Sequence, residues 1–226
     1  MIAIIDSGIA NLRSVQKGFE RVGSQAKIID DPRRLAEAAG IVLPGVGAFC
    51  DGIAKLSNHG FIEPLRRAIE QGKPVLGICL GLHFLFSESE EFGRHKGLDL
   101  LPGRVLRFVH DMPDAMNSDI PLPGPHLLGA RLPGVRLKVP HMGWNRVRIV
   151  RPAPILAGLP EEPFFYFVHS YYVEPADSNT TAGITEYGHW FTSVIWRDNL
   201  FATQFHPEKS QASGLKLLAN FAALTR

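Results

Sequence analysis

The segment Gly77-Ile-Cys-Leu-Gly81 follows the apolar run Val75-Leu76 and places a cysteine between two glycines, each two residues away. That spacing belongs to a nucleophile elbow, with cysteine in the serine's place. Small neighbours let a buried strand turn sharply into a helix and expose one side chain at the carboxyl end of a sheet. The same turn aims the backbone N–H of Leu80 and the helix N-terminus at that spot. A thiol held there loses its proton more easily and can attack a carbonyl carbon. Most cysteines are buried fillers. A strand alone would not ask for glycine on both sides, so Cys79 is the candidate nucleophile.

A cysteine nucleophile needs a base, and the base needs something to orient it. Gln204-Phe-His-Pro-Glu208 supplies both at the end of an apolar run. In an extended segment residues two apart point the same way, so His206 and Glu208 share a side. Pro207 favours a strand end. A carboxylate there fixes the imidazole's tautomer and stabilises its charged form. A solvated loop would explain His-Pro-Glu alone; elbow, strand-end histidine and paired glutamate together outweigh that reading. The turn Pro44-Gly-Val-Gly47 is the natural oxyanion partner, because glycines let backbone N–H groups approach a substrate. It is not a dinucleotide fingerprint, since Cys50 stands where the third glycine would be.

These residues need a scaffold that delivers strand ends to one edge. Ile2–Ile5 reads as a strand, Leu12, Val15, Phe19 and Val22 repeat at helical spacing, and Gly23 closes that helix. Ala26–Ile29 is the next strand, Asp31-Pro32 caps and opens another helix, 41–43 is a strand, and 61–71 is helical. Alternating strand and helix implies an α/β fold with a mostly parallel central sheet flanked by helices, whose sites sit at strand carboxyl ends. Residues 109–135 are rich in proline and glycine and read as a surface insertion. A β-rich C-terminal half follows, with strands at 146–150, 164–173, 181–186, 191–196 and 200–205, then a helix over 210–224.

The chain of 226 residues suits a single domain spanning 1–226, and 45% hydrophobic with 20% charged residues describes a globular protein with a sizeable core. A net charge of +2 without a basic stripe argues against nucleic acid. No apolar stretch approaches membrane-spanning length, and Met1–Asp6 lacks a basic leader, so no membrane role and a cytoplasmic location are expected. Cys50 and Cys79 form no Cys-x-x-Cys pair, so neither a metal nor a cofactor is expected.

With Pro140-His-Met-Gly-Trp-Asn145, Phe167-Val-His-Ser170, Ile4-Ile-Asp-Ser-Gly8 and Asn11-Leu-Arg-Ser14, the segments above resemble class I (triad) glutamine amidotransferases of flavodoxin-like fold. Within that family they look like the glutaminase subunits of imidazole glycerol phosphate synthase, over nearly all the chain except 109–135. The resemblance implies L-glutamine as substrate, Cys79 as nucleophile, His206 as base then acid, and Glu208 as orienter. It implies oxyanion donors at Leu80 and the Gly45-Val46-Gly47 turn. Glu91 would hold the substrate ammonium, and Ser170 and Tyr171 would grip the substrate's other end. Trp144, Asn145 and Tyr166 would face a separate (β/α)8 barrel cyclase, which receives ammonia through a passage in a heterodimer. It implies that the cyclase then makes imidazole glycerol phosphate and aminoimidazole carboxamide ribotide.

Two positions depart from the family. His83 replaces a glutamine four residues after the nucleophile; it faces Cys79 and could compete for its proton, or simply donate one hydrogen bond to substrate. Cys50 replaces a glycine and reads as a small buried filler. His169 reads as a hydrogen-bonded core residue on a central strand, and His141 as an interface residue. A paralogous glutaminase serving another synthase, a non-catalytic regulator and a γ-glutamyl cysteine hydrolase are the alternatives.

Overall fold

The structure is a computed structural model that describes residues 1–6, 8, 11–108 and 138–226. The insertion expected at 109–135 lies outside the described residues. Five strands run parallel at the centre: β1 (Ile2–Ile5), β2 (Ala26–Ile29), β3 (Gly40–Gly45), β4 (Val75–Cys79) and, from late in the chain, β14 (Leu200–Thr203), in the order β2-β1-β3-β4-β14. β1, β3, β4 and β14 are buried on both faces, which their continuous apolar runs require of parallel pairing, while the edge strand β2 exposes Lys27.

Alternate residues enter separate cores. Ile2, Ile4, Val42, Leu76 and Ile78 pack with Val15, Phe19, Leu217, Leu218 and Phe221, from α1 (Leu12–Arg21) and α5 (Gln211–Ala223). Ala3, Ile5, Ile41, Leu43 and Val75 pack on the other side with Phe49, Leu56, Leu65 and Leu82. Those four come from α2 (Phe49–Asn58), α3 (Ile62–Glu70) and α4 (Leu80–Phe84).

Beyond β14 the sheet becomes largely antiparallel. It continues through β13 (His189–Arg197), β11 (Tyr171–Pro175), β7 (Leu101–Arg107), β5 (Phe86–Ser89) and β6 (His95–Lys96). The β5–β7 pair is parallel. β12 (Thr181–Tyr187) and β9 (Arg148–Ile149) branch from β13. A separate antiparallel ribbon joins β8 (His141–Arg146) to β10 (Phe164–His169).

Several boundaries differ from the sequence reading. The helix after Asp31 is a 3₁₀ turn, Pro32–Glu37; Asp31 does cap it, accepting from the Arg33 N–H at 3.0 Å. The strand expected over 164–173 is two strands in different sheets, broken at Ser170, and His169 therefore lies on the ribbon rather than a central strand. The break is closed by the His169 ring, whose Nδ1 lies 2.8 Å from the Tyr171 carbonyl oxygen. The strand expected at 146–150 is likewise divided between β8 and β9. Cys50, on α2, is half-buried rather than enclosed.

Candidate active site

β4 ends at Cys79, which adopts φ 55° and ψ −109° as it passes into α4. A positive φ on a residue with a Cβ is a strained conformation that the surroundings must enforce. They do so sterically. A Cβ on Gly81 would drive into the Leu43 backbone, one on Gly77 would meet the Gly81 carbonyl oxygen at 2.9 Å, and one on Gly45 would meet Leu80 Cβ at 2.9 Å. Three backbones therefore pack without side chains between them, and the elbow has no room to relax.

β3 runs beside β4 with Gly45 opposite Cys79, so the expected oxyanion turn lies next to the sulfur. Val46 is 41% exposed and Gly47 has φ +95°. Leu80, the first residue of α4, is buried beneath the same turn.

His206 follows β14. Its backbone N–H donates to the Tyr166 carbonyl at 2.9 Å, and its own carbonyl accepts from the Ser210 hydroxyl at 2.6 Å. Ser210 in turn accepts from the Tyr166 N–H at 3.0 Å. The ring's Nδ1 lies 2.8 Å from Glu208 Oε1, both side chains being buried. Nε2, on the other side, has no protein partner with complete hydrogen-bond geometry. The Cys79 sulfur is nonetheless close enough to favour its proton. Burial alone depresses the imidazolium most. Hydrogen bonding and charge from Cys79 and Glu208 together outweigh it and carry His206 up to about 10. The Cys79 sulfur also lies 3.9 Å from the Val168 carbonyl oxygen.

The other imidazoles nearby are held neutral. His83 is buried with Nε2 2.8 Å from Gln204 Oε1, and burial lowers it to about 4 despite that bond. His169 is pushed well down, by burial first and then by His141.

Glu91 is also buried. Its Oε2 accepts from the Phe49 N–H at the start of α2 at 2.7 Å, and burial raises it against that bond. Tyr171 is raised, by burial first and then by the charge of Glu91. Ser170 sits at the junction of β10 and β11, two residues beyond the Val168 carbonyl that faces the sulfur.

Among the candidates, Gly45 and Val46, Cys79, Leu80 and His83, Glu91, Ser170 and Tyr171, and His206 and Glu208 come from five segments of the chain. Gln204 and Ser210 belong with them and were not singled out by the sequence, although both lie within the segment 204–210. Among the described residues no group of three or more His, Cys, Asp or Glu could hold a metal ion, and no helix is long and apolar enough to cross a membrane.

The outer face of the β8–β10 ribbon carries Met142 (59% exposed), Trp144 (47%) and Phe164 (49%). Asn145 projects from the opposite face and is tied inward to His141 and the Glu186 carbonyl.

The sequence matches the family glutamine amidotransferase class-I over residues 3–224. It is 54% identical to an imidazole glycerol phosphate synthase subunit HisH of Syntrophotalea carbinolica, over 98% of either chain. It is 49% identical to the protein of that name in Geobacter sulfurreducens, over 99% of this chain and 98% of the other. Among solved structures, a glutamine amidotransferase superposes with TM-score 0.69 at 15% identity, over 100% of this chain and 99% of that one. PurLQS from Thermotoga maritima does so with TM-score 0.69 at 15% identity, over 100% and 98%. These two similarities speak for the fold alone.

Proposed function

From the premise that the chain belongs to the class-I glutamine amidotransferase family, we infer that it is the glutaminase subunit of an imidazole glycerol phosphate synthase, acting in histidine biosynthesis. One observation carries the chemical part. A cysteine forced to the lip of the sheet faces an imidazole whose far nitrogen is anchored to a buried carboxylate at 2.8 Å.

The Cys79 thiolate attacks the side-chain amide carbon of L-glutamine. The oxyanion is received by the Leu80 N–H and by the Gly45–Val46 turn. His206, kept protonated by Glu208 and the sulfur's charge, gives its proton to the departing nitrogen, and ammonia leaves. Water, deprotonated by the now neutral His206, cleaves the thioester to glutamate and restores the thiolate–imidazolium pair. Glu91, Ser170 and Tyr171 hold the amino-acid end of the substrate, with His83 bordering the pocket.

Ammonia released into water at neutral pH becomes ammonium and loses its nucleophilic lone pair, which calls for a partner and a sheltered passage. The exposed apolar residues on the ribbon support such a docking face, since charged surface would be expected on a free strand. The partner is a separate (β/α)8 barrel cyclase that adds the ammonia to a ribotide.

Ammonia release should be measured on the purified chain with and without the cyclase and its ribotide. Cys79→Ala should lower glutamine-dependent turnover more than about 10³-fold while the complex still works on ammonium salts. Loss of both activities would refute a purely catalytic role for this sulfur.

A further inference from the structure

Two buried histidines outside the proposed triad form a hydrogen-bond chain in which every proton has one possible place. His169 Nδ1 lies 2.8 Å from the Tyr171 carbonyl oxygen, which can only accept, so Nδ1 carries the hydrogen. His169 Nε2 lies 2.9 Å from His141 Nδ1. In a neutral His169 that Nε2 is an acceptor, so His141 also carries its hydrogen on Nδ1. His141 Nε2 is then an acceptor as well, and Asn145 Nδ2 stands 3.2 Å away. The Asn145 amide has no freedom to flip. Its oxygen accepts the Arg146 N–H at 2.8 Å, and its nitrogen also donates to the Glu186 carbonyl at 2.9 Å.

Backbone groups fix both ends of this chain, and its interior runs one way, from Asn145 through His141 and His169 to Tyr171. The rings are clamped sideways too. His141 is stacked between Phe167 at 4.8 Å and Tyr187 at 4.0 Å, and Phe108 packs against His169 at 5.3 Å. Burial keeps both rings neutral, His141 near 4 and His169 well below its ordinary value.

The location gives the chain a use. Its inner end grips the carbonyl of Tyr171, next to Ser170 and three residues beyond the Val168 oxygen that faces Cys79. Its outer end sits on the strand that carries Trp144, whose neighbours form the exposed apolar face. We propose that His141 and His169 act as a one-way hydrogen-bond relay of neutral rings that positions the Ser170–Tyr171 backbone against bound glutamine and registers it to the docking ribbon. The proposal rests on the glutaminase reading for what the positioned backbone touches. His169 is a positioning residue, acting on substrate through Tyr171, and His141 fixes the tautomer of His169.

Neutral imidazole in water prefers its hydrogen on Nε2, so two rings with hydrogen on Nδ1 are a distinctive signature. Ring ¹⁵N spectra of the complex at neutral pH should show His141 and His169 neutral and protonated on Nδ1. A charged or Nε2-protonated ring at either position would overturn the relay. This readout does not require turnover. If wild-type complex released no ammonia from glutamine while the two rings showed the signature, the glutaminase reading would fail and the relay would stand.

The positional claim is read in kinetics of the assembled complex. His169→Phe should raise KM for glutamine about tenfold, with a smaller change in kcat and no change in synthesis from ammonium salts. His169→Asn keeps a donor at the Nδ1 position and should recover most of that loss. His141→Phe, which retains the stacked ring, should give an intermediate rise of about threefold. Unchanged KM in His141→Phe and His169→Phe, or no recovery with asparagine, would refute the positioning role. If His169→Phe did not fold, His141→Phe and the ¹⁵N spectra would decide by themselves.

Discussion

The two sides of the proposed site are held by different physics. Cys79 is fixed by exclusion: Gly45, Gly77 and Gly81 bring three backbones so close that the elbow has one conformation. His206 and the Ser170–Tyr171 segment are fixed by attraction, through Glu208, Ser210, Tyr166 and His169. A steric vice is insensitive to pH and intolerant of any added atom. A hydrogen-bonded frame tolerates small changes of shape but depends on each donor being protonated and each acceptor bare. The proposed nucleophile is thereby rigid, while the proposed acid–base partner and substrate cradle can be tuned.

Breaking the vice should have the largest effect. In Gly81→Ala the new methyl would overlap the Leu43 main chain, which cannot yield without moving β3. Folding stability should fall by more than about 3 kcal/mol, and little folded protein should accumulate. A variant with a native thermal midpoint would show that the elbow relaxes. Next comes the charge within the frame. Glu208→Gln keeps the shape but can offer its amide nitrogen to His206 Nδ1, favouring the wrong tautomer. We expect kcat/KM for glutamine to drop about 10²-fold with little change in stability. Near-native activity would mean that orientation, not charge, is what Glu208 supplies.

That contrast also decides what the sequence reveals. The elbow is legible because steric exclusion is written locally, as glycines at fixed spacing around Cys79. His206 and Glu208 are legible because they are two residues apart in one short motif, although Pro207–Lys209 is a 3₁₀ turn capped by His206 and not the extended segment expected. The relay is not legible. His141 and His169 are 28 residues apart, and only the β8–β10 register makes them cross-strand neighbours. α2 is not legible for a different reason. Gly52 lies inside it and reads as a breaker, yet Phe49, Gly52 and Leu56 form the buried side, and the glycine is there to pack. The split at Ser170 was hidden because aromatic and β-branched residues continue across it, and nothing in 164–173 marks a change of sheet.

A milder cut sharpens the comparison within the frame itself. Ser210 accepts from the Tyr166 N–H and donates to the His206 carbonyl, so Ser210→Ala leaves a half-buried N–H without its side-chain partner. The loss should be about 1–3 kcal/mol in denaturant unfolding. Activity should fall by less than in Glu208→Gln, because the bond between His206 and Glu208 remains. An unfolding free energy equal to wild type would mean water has replaced the hydroxyl.

The smallest effect at neutral pH, and the one that isolates the frame's dependence on protonation, is His83→Gln. His83 is neutral because burial lowers it to about 4, whereas an unfolded histidine titrates near 6.5. Between those values the unfolded chain binds the extra proton and the folded chain does not, so stability falls as pH drops from about 6.5 towards 4 and is flat above. His141 follows the same course. Glutamine at 83 can still meet the Gln204 amide but carries no titratable group, so one of these acid liabilities disappears. The variant and wild type should have nearly the same unfolding free energy at pH 8. Near pH 4.5 the variant should gain about 2 kcal/mol relative to wild type, by urea titration at both pH values. Parallel pH profiles would show that His83 is solvated enough to take its proton in place, and the frame around Gln204 would then be looser than its 2.8 Å hydrogen bond implies.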